Sequence, residues 1–226
     1  ARAEKAPCRM SGKTVAVIRV VTLEDPGLLR LHGELMEAAF PGLHTVSVCI
    51  PDQPRGVCSP ETEAAAVPKI LEIARKLRGV DALVASCCGD PAVEELRREL
   101  DIPVIGAGAA VCAVARVLGR HPGVLGIMEE VPRPYRTMLG ESLIHLGRPE
   151  HVTCTLDLMT GAGREAVIRK ALELKAHGAD CLALACTGMS TIRIAEDLRR
   201  ACGIPVVDPV TAEGLFAYYV TVKNAL

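Results

Sequence analysis

The chain repeats one of its own segments, and that repeat limits the folds open to it. "DALVASCCGDPAVEELRRELDIPVIGAG" (81–108) can be laid over "DCLALACTGMSTIRIAEDLRRACGIPVVDPV" (180–210). In each copy an aspartate, Asp81 or Asp180, stands six residues before a cysteine, Cys87 or Cys186, at the end of an apolar run. A glycine-containing turn, an amphipathic stretch and an identical Ile-Pro-Val follow. A short apolar strand, a helix and a second short strand make a unit of parallel sheet. Two such units predict two similar lobes.

The rest of the chain extends the alternation. Strands are expected at "TVAVIRVV" (14–21), "TVSVCI" (45–50), "ALVAS" (82–86), "PVIG" (103–106), "GVLGIM" (123–128), "HVTCTL" (151–156), "CLALA" (181–185) and "PVVD" (205–208). A helix opens at Asp25-Pro26, a good N-cap and first-turn pair. Others fit 61–77, with a kink expected at Pro68, and 91–100, capped by Asp90 with Pro91 at its first position. A last helix fits near 211–223. The fold class is α/β, with two Rossmann-like lobes of parallel sheet and a cleft between them. Residues 1–108 plus 209–226 form the first lobe and 109–208 the second. A single doubly wound sheet is the competing arrangement.

Half of the 226 residues are hydrophobic and the formal net charge is −1. Such a chain can bury a sizeable core. Its charge balance gives no electrostatic reason to expect nucleic acid or an anionic membrane as partner. No apolar run approaches the ~20 residues of a membrane helix. The N-terminal "ARAEKAPCRMSGK" lacks the apolar middle of a secretory signal, so the cytoplasm is the expected compartment. The ten cysteines show no CxxC and no zinc-type Cys/His spacing. Most, such as Cys49, Cys112 and Cys181, read as small buried hydrophobes.

Ligands of parallel sheets bind beyond the carboxyl ends of the strands, where Cys87 and Cys186 fall. Each precedes a helix whose free N–H groups favour a thiolate. Gly89 and Gly188 leave the turn backbone open to a ligand. A lone cysteine at a strand end is ordinarily packing; matching positions in a repeat favour a functional pair. Facing lobes would set one sulfur on each side of a small molecule. That suits inversion at carbon, with a thiolate removing a proton from one face and a thiol returning one to the other. Turn N–H groups, Thr187 and Ser190 are candidates to hold the developing enolate. A vicinal Cys87–Cys88 disulfide is not expected, because such a bridge is strained.

These residues resemble the aspartate/glutamate/hydantoin racemase superfamily. "SCCGDP" (86–91) is similar to the Cys-Phe-Gly-Asp-Pro motif of hydantoin and allantoin racemases, and "LACTGM" (184–189) to their Leu-Gly-Cys-Ala-Gly-Met. The resemblance implies two α/β lobes, catalytic roles for Cys87 and Cys186, no cofactor, no metal and a homo-oligomer. It also implies a small-molecule substrate with an acidic C–H beside a carbonyl, such as a hydantoin, allantoin or an amino acid. Cys88 stands where the motif has phenylalanine and is expected to line the pocket. "IRVVTLED" (18–25) replaces the family's Asn-Pro-Asn-Thr turn. The chain has neither the Cys-Asn-Thr nor the Cys-Thr-Glu of aspartate and glutamate racemases. Arylmalonate decarboxylases keep one of the two cysteines; maleate isomerases keep both and remain an alternative, as does a non-catalytic two-lobe binding protein.

Other candidates are weaker. Arg19 and Thr22 lie where the family's substrate turn would be. Arg19 either clamps a substrate carboxylate or makes a structural salt bridge. Asp52 and Gln53 fit a turn, and Glu129 and Glu130 a helix cap. "GAGAAV" (106–111) lacks the GxGxxG order of a dinucleotide site. "MTGAGRE" (159–165) lacks the end of a nucleotide loop and could at most take an anion.

Overall fold

The computed structural model describes residues 13–223. The N-terminal segment discussed above and the outermost ends of the expected first lobe lie outside them. Strands β1 (Thr14–Arg19), β2 (His44–Cys49), β3 (Ala82–Ser86) and β4 (Val104–Gly106) make one sheet in the order β2-β1-β3-β4. Strands β5 (Pro122–Leu125), β6 (Cys181–Leu184) and β7 (Val206–Val207) make a second, in the order β5-β6-β7. All pairings are parallel. The helices are α1 (Pro26–Ala39), α2 (Pro60–Lys76), α3 (Val93–Glu99), α4 (Ala107–Leu118), α5 (Arg133–Leu139), α6 (Gly161–Ala176), α7 (Gly188–Thr191), α8 (Ala195–Cys202) and α9 (Pro209–Tyr218). None of them is long and apolar enough to cross a membrane.

The layering follows from which faces are apolar. β1 and β3 are buried on both faces, as the inner strands of a covered parallel sheet must be. Ile70 of α2 and Leu96 of α3 cover the outside of the first sheet over Ile18 and Leu83. Val167 of α6 and Leu198 of α8 cover the outside of the second over Leu125 and Leu182. Between the sheets lies one shared cluster. Val17 and Val84 enter it from the first sheet, Val124 and Ala183 from the second, and Met36, Val111, Tyr135 and Ala217 from α1, α4, α5 and α9. The two lobes therefore share a core. Cys112 and Cys181 belong to it, whereas Cys49, expected to be buried, is half-exposed on edge strand β2. The nine described cysteines are free thiols.

The repeated aspartates have matching tasks. Asp81 accepts the backbone N–H of Thr14 (2.8 Å), and Asp180 those of Arg120 (2.7 Å) and His121 (2.9 Å). Each carboxylate anchors the start of the strand beside its own, β1 or β5. Asp25 caps α1 as expected, accepting from Leu28 N (2.7 Å), and α2 runs on through Pro68.

Two expectations are corrected. Residues 151–156 form no strand. Asp157 folds back on them, accepting from the N–H groups of Thr153 (2.7 Å) and Cys154 (3.0 Å) and from the Thr153 hydroxyl (2.9 Å). That local turn takes the donors a sheet ladder would need. The edge beside β5 carries instead an isolated bridge from Ile144 to Gly123. Nor does Asp90 cap the helix that follows it. α3 starts at Val93 after Ala92, in left-handed conformation (φ 61°), with no side-chain cap. Asp90, itself at φ 56°, turns back and accepts the N–H groups of Gly108 (2.6 Å) and Ala109 (2.8 Å) in the first turn of α4.

This clasp explains the glycines of "IGAG" (105–108). A Cβ on Gly106 would lie 2.5 Å from the Asp90 carboxyl carbon, and one on Gly108 2.3 Å from the Cys88 carbonyl. Burial pushes the Asp90 carboxyl up to about 7, opposed by the two N–H groups that it accepts. Asp90→Ala leaves both donors without a partner and should lower unfolding free energy by about 2–4 kcal/mol in urea titration. Asp90→Asn, with one acceptor oxygen left, should lose less.

Candidate active site

The carboxyl ends of β1, β3, β5 and β6 converge on one narrow cavity of about 60 Å³ between the lobes. Cys87 and Gly89 from the turn after β3 form part of its wall; Cys186, Thr187 and Gly188 after β6 form another part. The repeat thus places its two cysteines around one space. Cys87 is half-buried and Cys186 is buried.

The two sulfurs differ in their surroundings. Burial pushes the Cys87 thiol far up; the Gly89 N–H opposes this, while Glu63, Cys186 and Asp90 add to it. Burial also pushes Cys186 up, to about 11, but the N–H groups of Gly188 and Met189 and the Thr155 hydroxyl all favour its thiolate, against a smaller opposing push from Cys154. Cys186 is the better-supported anion. Helix geometry accounts for part of this: α7 starts two residues after Cys186, whereas α3 starts six residues after Cys87. The expected help from a helix N-terminus therefore reaches one cysteine only.

The glycines also have a role beyond opening the turn backbone. A Cβ on Gly188 would lie 2.5 Å from Thr155 Cγ2, so its absence lets Thr155 approach Cys186. A Cβ on Gly89 would lie 3.1 Å from a Glu63 carboxylate oxygen. Thr187 stands in the wall, with its hydroxyl 3.4 Å from the Ser86 carbonyl.

Several expected contacts are not made. Arg19 borders the cavity but is 4% exposed, and its Nη1 donates to the carbonyls of Leu28 (2.5 Å) and Leu29 (3.2 Å) in α1. Burial lowers it to about 10, and nearby Glu213 and Cys49 oppose this. It is a buried strut holding α1, not a free carboxylate clamp. Thr22 is absent from the wall. Its hydroxyl donates to the Ile50 carbonyl (2.9 Å) and accepts the Gln53 N–H (2.7 Å), tying two loops together. Cys88 lines the cavity at 3% exposure, but its sulfur is 3.8 Å from the Leu184 carbonyl in the shared core. Ser190 is held at Val210 N (3.4 Å), and Glu129 pairs with Arg148 outside the site.

The cavity adds residues that sequence reasoning missed: Ser86, Val57, Ile127, Met128, Thr155 and Thr191. Thr191 lies four residues after Thr187, on the same helical face, a spacing that could have indicated it. Thr155 was assigned to a strand, and nothing in its neighbourhood marks it as a partner of Cys186.

Known proteins share this architecture. The Asp/Glu/Hydantoin racemase profile matches residues 30–213. A hydantoin racemase from Rhizobium meliloti is 31% identical over 173 residues, 71% of this chain and 69% of that protein. The structure of allantoin racemase from Klebsiella pneumoniae superposes with a TM-score of 0.78 at 25% identity, covering 94% of this chain and 89% of that one. A variant of arylmalonate decarboxylase, at 18% identity and a TM-score of 0.69 over 94% of each chain, shares the fold alone. With its motifs, its paired lobes and the profile in agreement, the chain belongs to the Asp/Glu/hydantoin racemase family and is an isomerase.

Proposed function

We propose that the protein is a cofactor-independent racemase that inverts a carbon beside a carbonyl, with Cys87 and Cys186 as the two acid/base groups. One observation carries the reading: the two cysteines of the repeat, from different lobes, line a single cavity. The names of the relatives support a 5-substituted hydantoin or allantoin as substrate. Both carry a C–H bond acidified by an adjacent carbonyl.

The thiolate on one side takes the proton, and its electron pair moves into the carbonyl to form an enolate. The thiol on the other side then gives a proton to the opposite face of the carbon, leaving thiol and thiolate exchanged. Cys186, with three donors around its sulfur, carries the charge more readily in the resting enzyme. The narrowness of the cavity implies that the loops at its rim move to admit a ring and close to exclude water.

Cys87→Ser and Cys186→Ser should each lower racemisation of 5-benzylhydantoin or allantoin, followed by circular dichroism, by at least about a thousandfold. In D2O each variant should at most exchange the α-proton of one enantiomer without inverting it. Full racemisation by both single variants would sink the two-base reading. With the thiol pushed up to about 11, iodoacetamide labelling of the Cys186 peptide should rise about tenfold per pH unit from pH 7 to 10. A plateau below pH 9 would show that burial does not hold the proton there.

A further inference from the structure

Behind the cavity wall, on the seam between the lobes, four side chains from four elements form an unbroken hydrogen-bonded line. Glu213 Oε2 of α9 lies 3.1 Å from Ser86 Oγ at the end of β3. Ser86 Oγ lies 2.8 Å from His32 Nδ1 of α1, and His32 Nε2 lies 3.0 Å from Thr191 Oγ1 of α7. Glu213 and His32 are fully buried and Ser86 is 2% exposed. Thr191 is half-buried and stands in the cavity wall with both cysteines. The proton transfer described above uses none of them. Buried polar groups are costly unless paired, so their presence needs a reason.

The line has a direction. A neutral imidazole donates from one nitrogen and accepts at the other, so both bonds of His32 run the same way. Burial, and then the Arg19 charge, keep His32 neutral. Glu213 decides which way the line runs. Its Oε1 has no hydrogen-bond partner among the described residues, and Arg19 donates to backbone carbonyls instead. An ionised carboxylate there would leave a bare charged oxygen, and burial holds the group as the acid against the Ser86 hydrogen bond and the Arg19 charge. The acid proton then belongs on Oε2, where Ser86 can accept it, which leaves only a carbonyl-type oxygen unpaired. Toward an ionised carboxylate the Ser86 hydroxyl would donate; with Glu213 as the acid the bond reverses, so that Glu213 donates to Ser86, Ser86 to His32 Nδ1, and His32 Nε2–H to the Thr191 oxygen. The Thr191 hydroxyl, whose only described side-chain partner is His32, keeps its own proton for the cavity.

We propose that Thr191 is a substrate-contacting donor that holds the carbonyl oxygen as enolate charge develops on it, and that His32, Ser86 and Glu213 position it. The inference rests on the racemase reading of the same cavity and adds the group that stabilises its intermediate. A preorganised donor aimed at developing charge speeds the chemical step more than it tightens substrate binding.

The test uses 5-benzylhydantoin and allantoin as probes of the full chain. Thr191→Val should lower kcat about a hundredfold with KM changed by less than about threefold, while Thr191→Ser keeps kcat within about fivefold. His32→Leu should lower kcat comparably, and His32→Gln, whose amide N–H can reach the same hydroxyl, should recover most of that loss. Combining His32→Leu with Thr191→Val should be no worse than Thr191→Val alone, because one residue acts through the other. In the wild type, 15N-histidine NMR should find the proton of His32 on Nε2. Should His32→Leu not fold, the Thr191 pair and the tautomer still decide. An unimpaired Thr191→Val in an active enzyme, or a His32 protonated on Nδ1, overturns this inference alone. A wild type inactive on both probes overturns the racemase reading and this one with it.

Discussion

The helical layer packed between the two sheets is the constraint on which the site depends. α1, α4, α5 and α9 bury one cluster that draws side chains from both sheets. Neither sheet could therefore shift by much without opening a cavity in close-packed apolar contacts. The carboxyl ends of β3 and β6 are thereby held facing a common space. The placement of Cys87 and Cys186 around it follows chiefly from core packing, with the Thr187 hydroxyl also meeting the Ser86 carbonyl (3.4 Å). Polar contacts refine this placement: Tyr135 Oη donates to the Leu184 carbonyl (2.7 Å), and His32 reaches Thr191 across the seam.

Within each lobe, short-range chemistry finishes the work. The aspartate at the head of each repeat unit anchors the neighbouring strand through backbone N–H groups. The Asp90 clasp joins the first cysteine turn to the start of α4, and Gly106 and Gly108 exist to make room for it. The glycine run that superficially suggests phosphate binding is thus explained by backbone approach. The lobes also diverge where the chemistry requires it. Where the first lobe has strand β2, the second has only the Ile144 bridge beside β5, and the Asp157-centred turn that follows brings Thr155 to Cys186. The loss of a strand in one lobe accompanies better support for the thiolate there.

Much of this was legible from residue order. Seven of the eight expected strands form, because β-branched runs bounded by turns act locally. Asp25 caps α1 because an N-cap acts within three residues. The failures have one thing in common. Asp90 looked like an N-cap for α3, but a competing pair of N–H groups eighteen and nineteen residues away captured its carboxylate. Arg19, open between a substrate clamp and a salt bridge, and Thr22 are instead taken up by backbone carbonyls of α1 and of the loop after β2. Donors and acceptors choose partners by proximity in space, and one sequence does not list those distances.

By itself, then, the sequence determined the parallel α/β character, the doubling of the unit and the matching positions of the two cysteines. All three follow from periodicity and from a repeat, which need no knowledge of what packs on what. Tertiary structure alone decided which thiol is better supported as an anion, because Thr155 comes from a segment whose local pattern indicated a strand. It alone also assembled Glu213, Ser86, His32 and Thr191 into one line, from residues spread over 182 positions of the chain. The reason is physical: desolvation and hydrogen bonding depend on the full set of neighbours around a group, and only the folded core sets those neighbours.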